Sequence, residues 1–117
     1  MISCVAIDDD PLFLRLLDTY FEEMYDAILL SSWGNPVKGA LAIAKQRPEV
    51  VLLDYDMPYM DGFKMLELLE EKPKVIIISG RLKEAEQAEL KADFFIPKSS
   101  LTSATVLQKA ILEVVRQ

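Results

Sequence analysis

The chain has no histidine and a single cysteine in 117 residues. Without an imidazole, a serine or cysteine nucleophile has no ordinary base, and zinc loses its commonest ligand. The lone Cys4 cannot close an internal disulfide, which fits a reducing compartment. It stands inside the apolar run "ISCVAI" and reads as a small core residue. Basic clusters are missing too: 13 Lys and Arg are scattered among 19 Asp and Glu, for a net charge of −6. Nucleic-acid binding by this domain is therefore not expected, because phosphate contacts need grouped cations. A cation or a basic partner suits such a surface better. No apolar stretch approaches a membrane span, and the first residues do not read as a signal peptide. A cytoplasmic protein without membrane association is the expectation.

What is present is apolar bulk. Hydrophobic residues make up 51% of the chain, enough for the core of one domain. Short apolar runs alternate with helical patterns. Strands are predicted over 2–7, 27–32, 50–53, 74–79 and 93–96. Asp10-Pro11 and Asn35-Pro36 each pair a capping side chain with proline at the first helical position. The first helix carries Phe13, Leu16, Leu17, Tyr20 and Met24 on one face; the second carries Val37, Ala40, Leu41 and Ala44. Further helices are expected from Gly62 to about Glu71, over the charge-rich 82–91, and at the end, with Leu107, Ala110, Ile111 and Val114 on one face. Continuous apolar strands are buried on both faces, so these elements predict an α/β fold with a parallel sheet between helices.

In such a sheet, ligands bind beyond the carboxyl ends of the strands. The first strand ends in Asp8, Asp9 and Asp10. The third ends in Asp54, with Asp56 just beyond; the fourth ends in Ser79; the fifth runs into Lys98. Singly, each has a plain reading: Asp10 as a helix cap, the others as turn or solvated residues. Together they gather carboxylates, a hydroxyl and an ammonium at one sheet edge. Unit charges about 4 Å apart repel by roughly 4 kcal/mol at an effective dielectric near 20. Such a cluster must bind protons or recruit a cation, and an all-oxygen donor set suits Mg²⁺. A spare oxygen of Asp54 could then attack a phosphoryl group, with the metal and Lys98 neutralising its charge.

The segments "AIDDDP", "LLDYDMPYMDG", "IIISG" and "FFIPK" closely resemble those of response-regulator receiver domains of two-component signalling, along essentially the whole chain. The resemblance implies a (βα)5 flavodoxin-like doubly wound sandwich of strand order 2-1-3-4-5, spanning 1–117 with no effector domain inside it. It implies Asp54 as phosphoacceptor, served by a phosphohistidine on a sensor histidine kinase or phosphotransfer protein. Asp9 and Asp54 would ligate Mg²⁺ through carboxylates, Asp56 through its main-chain carbonyl and Asp8 through water. Lys98 would pair with the phosphoryl group and Ser79 would hydrogen-bond it. Phe95 takes the switch aromatic position, without the hydroxyl that a tyrosine would offer. Such a domain is not an enzyme beyond its own phosphorylation and dephosphorylation; an effector domain or a homodimer partner is implied as its output. "AIDDDPLFLRLL" and the Asn35-Pro36 start also resemble receivers joined to LytTR-type DNA-binding domains.

The sequence departs from the family after the lysine, where Ser99 replaces the usual proline. A non-proline cis bond costs about 3 kcal/mol, so Lys98–Ser99 is expected to be trans. Asp56 and Arg81 are expected to overhang the mouth of the site as a charge pair. Three other functions use similar parts: a pseudo-receiver that binds proteins without taking phosphate, a haloacid-dehalogenase-like phosphatase built on the "DYD" motif, and a flavin-binding module on the same fold.

Overall fold

A computed structural model describes residues 1–55, 69, 71–80 and 92–117. Asp56, Arg81, most of the helix expected over 62–71 and all of the one expected over 82–91 lie outside the described residues. Five strands form one sheet: β1 (Ile2–Ile7), β2 (Ala27–Trp33), β3 (Val50–Asp54), β4 (Lys74–Ser79) and β5 (Phe94–Pro97). Three described helices accompany it: α1 (Pro11–Glu22), α2 (Pro36–Gln46) and α3 (Ala104–Val115). All strand pairs are parallel, in the order β2-β1-β3-β4-β5. This is the flavodoxin-like order expected from the sequence, with β1 and β3 adjacent at its centre.

The side-chain period of two sorts each strand into two cores. Cys4, Ala6, Val50, Leu52, Ile76, Ile78 and Ile96 face α1 and α3, where they meet Phe13, Leu17, Leu107 and Ile111. Val5, Ile7, Val51, Leu53, Val75 and Ile77 face the other way, toward Ile43 of α2. The strands are apolar at every position because both faces are covered.

Helix starts follow their capping chemistry. The Asp10 carboxylate accepts from Leu12 N at 3.0 Å, ahead of Pro11. The Asn35 side chain accepts from Val37 N and Lys38 N, ahead of Pro36. Orphan amides of each first turn are thereby satisfied. α2 ends on Arg47 in the left-handed region (φ 49°), and Pro48 follows.

Two helix faces differ from the sequence expectation. In α1, Leu16 is exposed and Phe21 is buried in its place. In α2 the buried residues are Pro36, Gly39, Ala42 and Ile43, whereas Val37 is 53% and Leu41 67% exposed. The physical reason is the closeness of α2 to β1. A Cβ added to Gly39 would lie 2.7 Å from Ile7 Cγ1 and 2.5 Å from Cδ1, so the approach is tightest at position 39, with Ile43 packing one turn further on. Val37 and Leu41 are turned outward. At the chain's end β5 begins one residue later than expected, because Asp93 accepts from Val75 N at 2.7 Å through its side chain and pairs with Lys74 at 3.9 Å.

Gly39→Ala is expected to lower stability by about 1–2 kcal/mol, the overpacking outweighing the roughly 1 kcal/mol of helix propensity that alanine gains. Leu41→Lys should change it by less than about 0.5 kcal/mol. Urea denaturation of both variants checks the pair, and the reverse ranking would mean that the buried face of α2 is misassigned.

Cys4 is fully buried on β1, and burial, with a smaller contribution from the Glu49 charge, pushes its thiol up to about 12 from an ordinary 9.0. A raised thiol favours the folded state at pH below 9.0, and that contribution is lost as pH climbs toward 12. At mildly alkaline pH Cys4 should therefore resist iodoacetamide in the native protein and react in denaturant. Mass spectrometry after timed alkylation tests this; rapid native labelling would place the thiol at the surface.

Candidate functional site

The alternation that builds the cores also aims the polar residues at the strand ends. Asp8 follows Cys4 and Ala6 at intervals of two, and Asp54 follows Val50 and Leu52, so both carboxylates point to the α1 and α3 side. Ile7 pairs with Leu53 across β1 and β3, which sets Asp8 beside Asp54 just past the ladder. Lys98 lies two residues past Ile96, at the start of a 3-10 turn over Lys98–Ser100, on the same side. Three chain segments thus deliver their charges to one place. The Lys98–Ser99 bond is trans, as expected.

Asp8 is 3% exposed and Asp54 4%, at a level where polar groups require partners. Lys98 Nζ stands 2.9 Å from Asp8 Oδ2 and 4.0 Å from Asp54 Oδ2. The same ammonium lies over the Phe13 ring, 4.5 Å from its centroid. Asp8 Oδ1 accepts from Asp10 N at 2.8 Å, while the Asp8 amide donates to Trp33 O at 3.0 Å. Asp10 is therefore a cap and a brace. Burial works against the Lys98 ammonium, but the Asp8 carboxylate in contact with it, and then Asp54 and Asp10, outweigh that and hold its pKa above the ordinary lysine value.

Asp8, Asp9 and Asp54 each offer a carboxylate oxygen within 4.8 Å of the others. Asp9 is exposed, whereas Asp8 and Asp54 are buried. Asp8 Oδ2 is buried and, among the described residues, has the charge of Lys98 beside it but no aligned hydrogen-bond donor. Carboxylate oxygens are hard donors that fit a small divalent cation such as Mg²⁺, and the described residues of the cluster offer no imidazole or thiolate of the kind zinc or copper prefers.

The remaining expected residues divide. Ser79 ends β4 at the same edge, 1% exposed and paired in register with Pro97. Phe95 sits opposite Ile77 on the other face of the sheet, half-buried against the α2-side core. Sequence reasoning placed Phe13 only in the core and did not anticipate its position under Lys98. The available signal was its place one helical turn from the acidic loop. A cavity of about 600 Å³ lies at the opposite end of the sheet, among Arg47, Glu49, Lys72 and Lys74. It contains none of the clustered carboxylates.

The family described as "Response regulator receiver domain" matches residues 4–111. Transcriptional regulatory protein BtsR of Escherichia coli K12 is 32% identical over 82 residues, covering 68% of this chain and 34% of that protein. A protein-glutamate methylesterase/protein-glutamine glutaminase of Nitratidesulfovibrio vulgaris is 32% identical over 123 residues, covering 99% of this chain and 32% of that protein. The chain thus spans about a third of the length of these relatives. Among solved structures, the signal receiver domain of the response regulator NarL from Mycobacterium tuberculosis superposes with a TM-score of 0.85 at 25% identity, over 98% of this chain and 96% of that one. With its strand order, its acidic edge and a match along nearly its whole length, the chain belongs to the response regulator receiver domain family.

Proposed function

We propose that Asp54 is the phosphoacceptor of this receiver domain and that its phosphorylation depends on Mg²⁺. One observation carries the reading: the buried Asp54 carboxylate lies within 4.8 Å of oxygens from Asp8 and Asp9 and 4.0 Å from Lys98. A donor phosphoryl group brings about −1.5 to −2 of charge into this cluster, so cationic charge in addition to Lys98 favours its entry. Mg²⁺, when bound, supplies that charge and polarises the phosphoryl oxygens. Asp9 and Asp54 would hold it through carboxylates, with Asp56 contributing a main-chain carbonyl and Asp8 acting through water.

The rest of the step belongs to the chain's own groups. A carboxylate oxygen of Asp54 attacks phosphorus in line as the bond from phosphorus to the donor's leaving atom breaks, the bonding pair departing with the imidazole nitrogen of a phosphohistidine or with the acetate oxygen of acetyl phosphate. Lys98 neutralises an equatorial oxygen, and the Ser79 hydroxyl donates to another. The donor is a phosphohistidine on a sensor histidine kinase or phosphotransfer protein, a setting that fits a cytoplasmic domain. Phe95, on the far face of β5, is the residue whose repacking would carry the change to an effector domain or a second copy. The domain works in this reading as a switch and turns over no separate substrate.

Incubation with acetyl phosphate and Mg²⁺ should add one phosphoryl group to the intact mass. Asp54→Asn or EDTA should reduce that addition at least about a hundredfold, as expected when nucleophile or metal is removed. Unchanged labelling of Asp54→Asn would exclude Asp54. No labelling of the wild type would favour a protein-binding pseudo-receiver, and steady release of inorganic phosphate from simple esters would favour a phosphatase.

A further inference from the structure

Lys98 reaches the acidic edge on a flexible stem, and the position of its ammonium requires an explanation. Between two buried carboxylates, a point midway would share the attraction. The ammonium instead lies 2.9 Å from Asp8 and 4.0 Å from Asp54. A further neighbour among the described residues is the face of Phe13, 4.5 Å from Nζ to the ring centroid. Phe13 is 8% exposed and belongs to the core beneath α1, so its ring is fixed by packing with Leu17 and the strands. An ammonium is attracted to the negative face of such a ring, most strongly where water is excluded. Ring and Asp8 together draw the charge toward α1.

We propose that Phe13 is a positioning residue for phosphoryl transfer: with Asp8 it holds the Lys98 ammonium off Asp54, in place to meet the incoming phosphoryl oxygens. The inference rests on Asp54 being the phosphoacceptor. In the step, a bond forms from an Asp54 oxygen to phosphorus as the bond from phosphorus to the leaving oxygen breaks, and that electron pair departs with acetate when acetyl phosphate is the donor. Lys98 gives up neither proton nor electrons; it contributes charge at a place. An ammonium resting fully on Asp54 would tie up the lone pair that attacks. Held back on the ring, the ammonium does not itself occupy that oxygen and is placed to meet the negative charge of the phosphoryl group as it arrives. A leucine at position 13 would fill most of the core volume but could not hold the cation.

The test compares wild type, Phe13→Leu and Phe13→Tyr in the full chain. By NMR, without donor or metal, the Lys98 ε-methylene protons should be shifted upfield by the ring current in wild type and Phe13→Tyr, and should return toward ordinary lysine values in Phe13→Leu. Phosphorylation by acetyl phosphate in saturating Mg²⁺ should slow about three- to tenfold in Phe13→Leu, and stay within about twofold in Phe13→Tyr. Circular dichroism at the assay temperature confirms that each variant is folded. An unshifted ε-methylene in wild type overturns the placement. A wild-type rate in folded Phe13→Leu, or equal slowing in Phe13→Tyr, overturns the positioning role. If wild type takes no phosphoryl group while the upfield shift is present, the phosphoacceptor reading has failed and the proposed role falls with it, the ring–ammonium contact alone surviving.

Discussion

Two carboxylates at the ends of neighbouring parallel strands, both buried, lie within 4.0 Å of the Lys98 ammonium. That crowding of charge governs the acidic edge of the sheet. Lys98 stands 2.9 Å from Asp8 and 4.0 Å from Asp54, and Asp9 adds a third, exposed carboxylate. Like charges this close cost roughly 4 kcal/mol per pair at an effective dielectric near 20. Folding therefore carries a local electrostatic cost, and the site is built to gain when more positive charge arrives. In the proposed reading, cation binding and phosphoryl transfer would both draw on this crowding of negative charge.

The rest of the structure holds that crowding in place. Carboxylates free to move would separate into water. Here Asp8 is tied by its own amide to Trp33 O and by its side chain to Asp10 N. Asp54 is the last residue of a fully buried strand. The parallel register, with Ile7 opposite Leu53, leaves the two side chains neighbours on one face. The same register brings β5 alongside β4, so that Lys98 emerges above Phe13. Two apolar cores, one on each face of the sheet, supply the stability against which the crowded edge is tolerated.

Much of this arrangement is legible in the sequence, for a physical reason. Strands covered on both faces must be apolar throughout, so β1 and β4 stand out with their observed limits, and the charged residue ending each run marks the sheet edge. The caps Asp10 and Asn35 are likewise legible, because an orphan amide and a short oxygen-bearing side chain form a local pair. The buried face of α2 is not. Its outward residues, Val37 and Leu41, are larger and more apolar than the Gly39 and Ala42 that touch the sheet. Pattern reading follows hydrophobicity, whereas the contact was decided by how closely helix and strand approach. Phe13 was hidden for a related reason: an aromatic at a core position looks the same whether or not a cation rests on its outer face.

The most direct test of that charge crowding is thermal melting with and without millimolar MgCl₂ at constant ionic strength, for wild type, Asp9→Asn and Asp54→Asn. If the three carboxylates form one cation site, binding to the folded state alone raises the melting temperature of wild type, and each substitution removes most of that rise. An equal rise in all three proteins would contradict the account, because Mg²⁺ would then be acting somewhere other than the site formed by Asp8, Asp9 and Asp54.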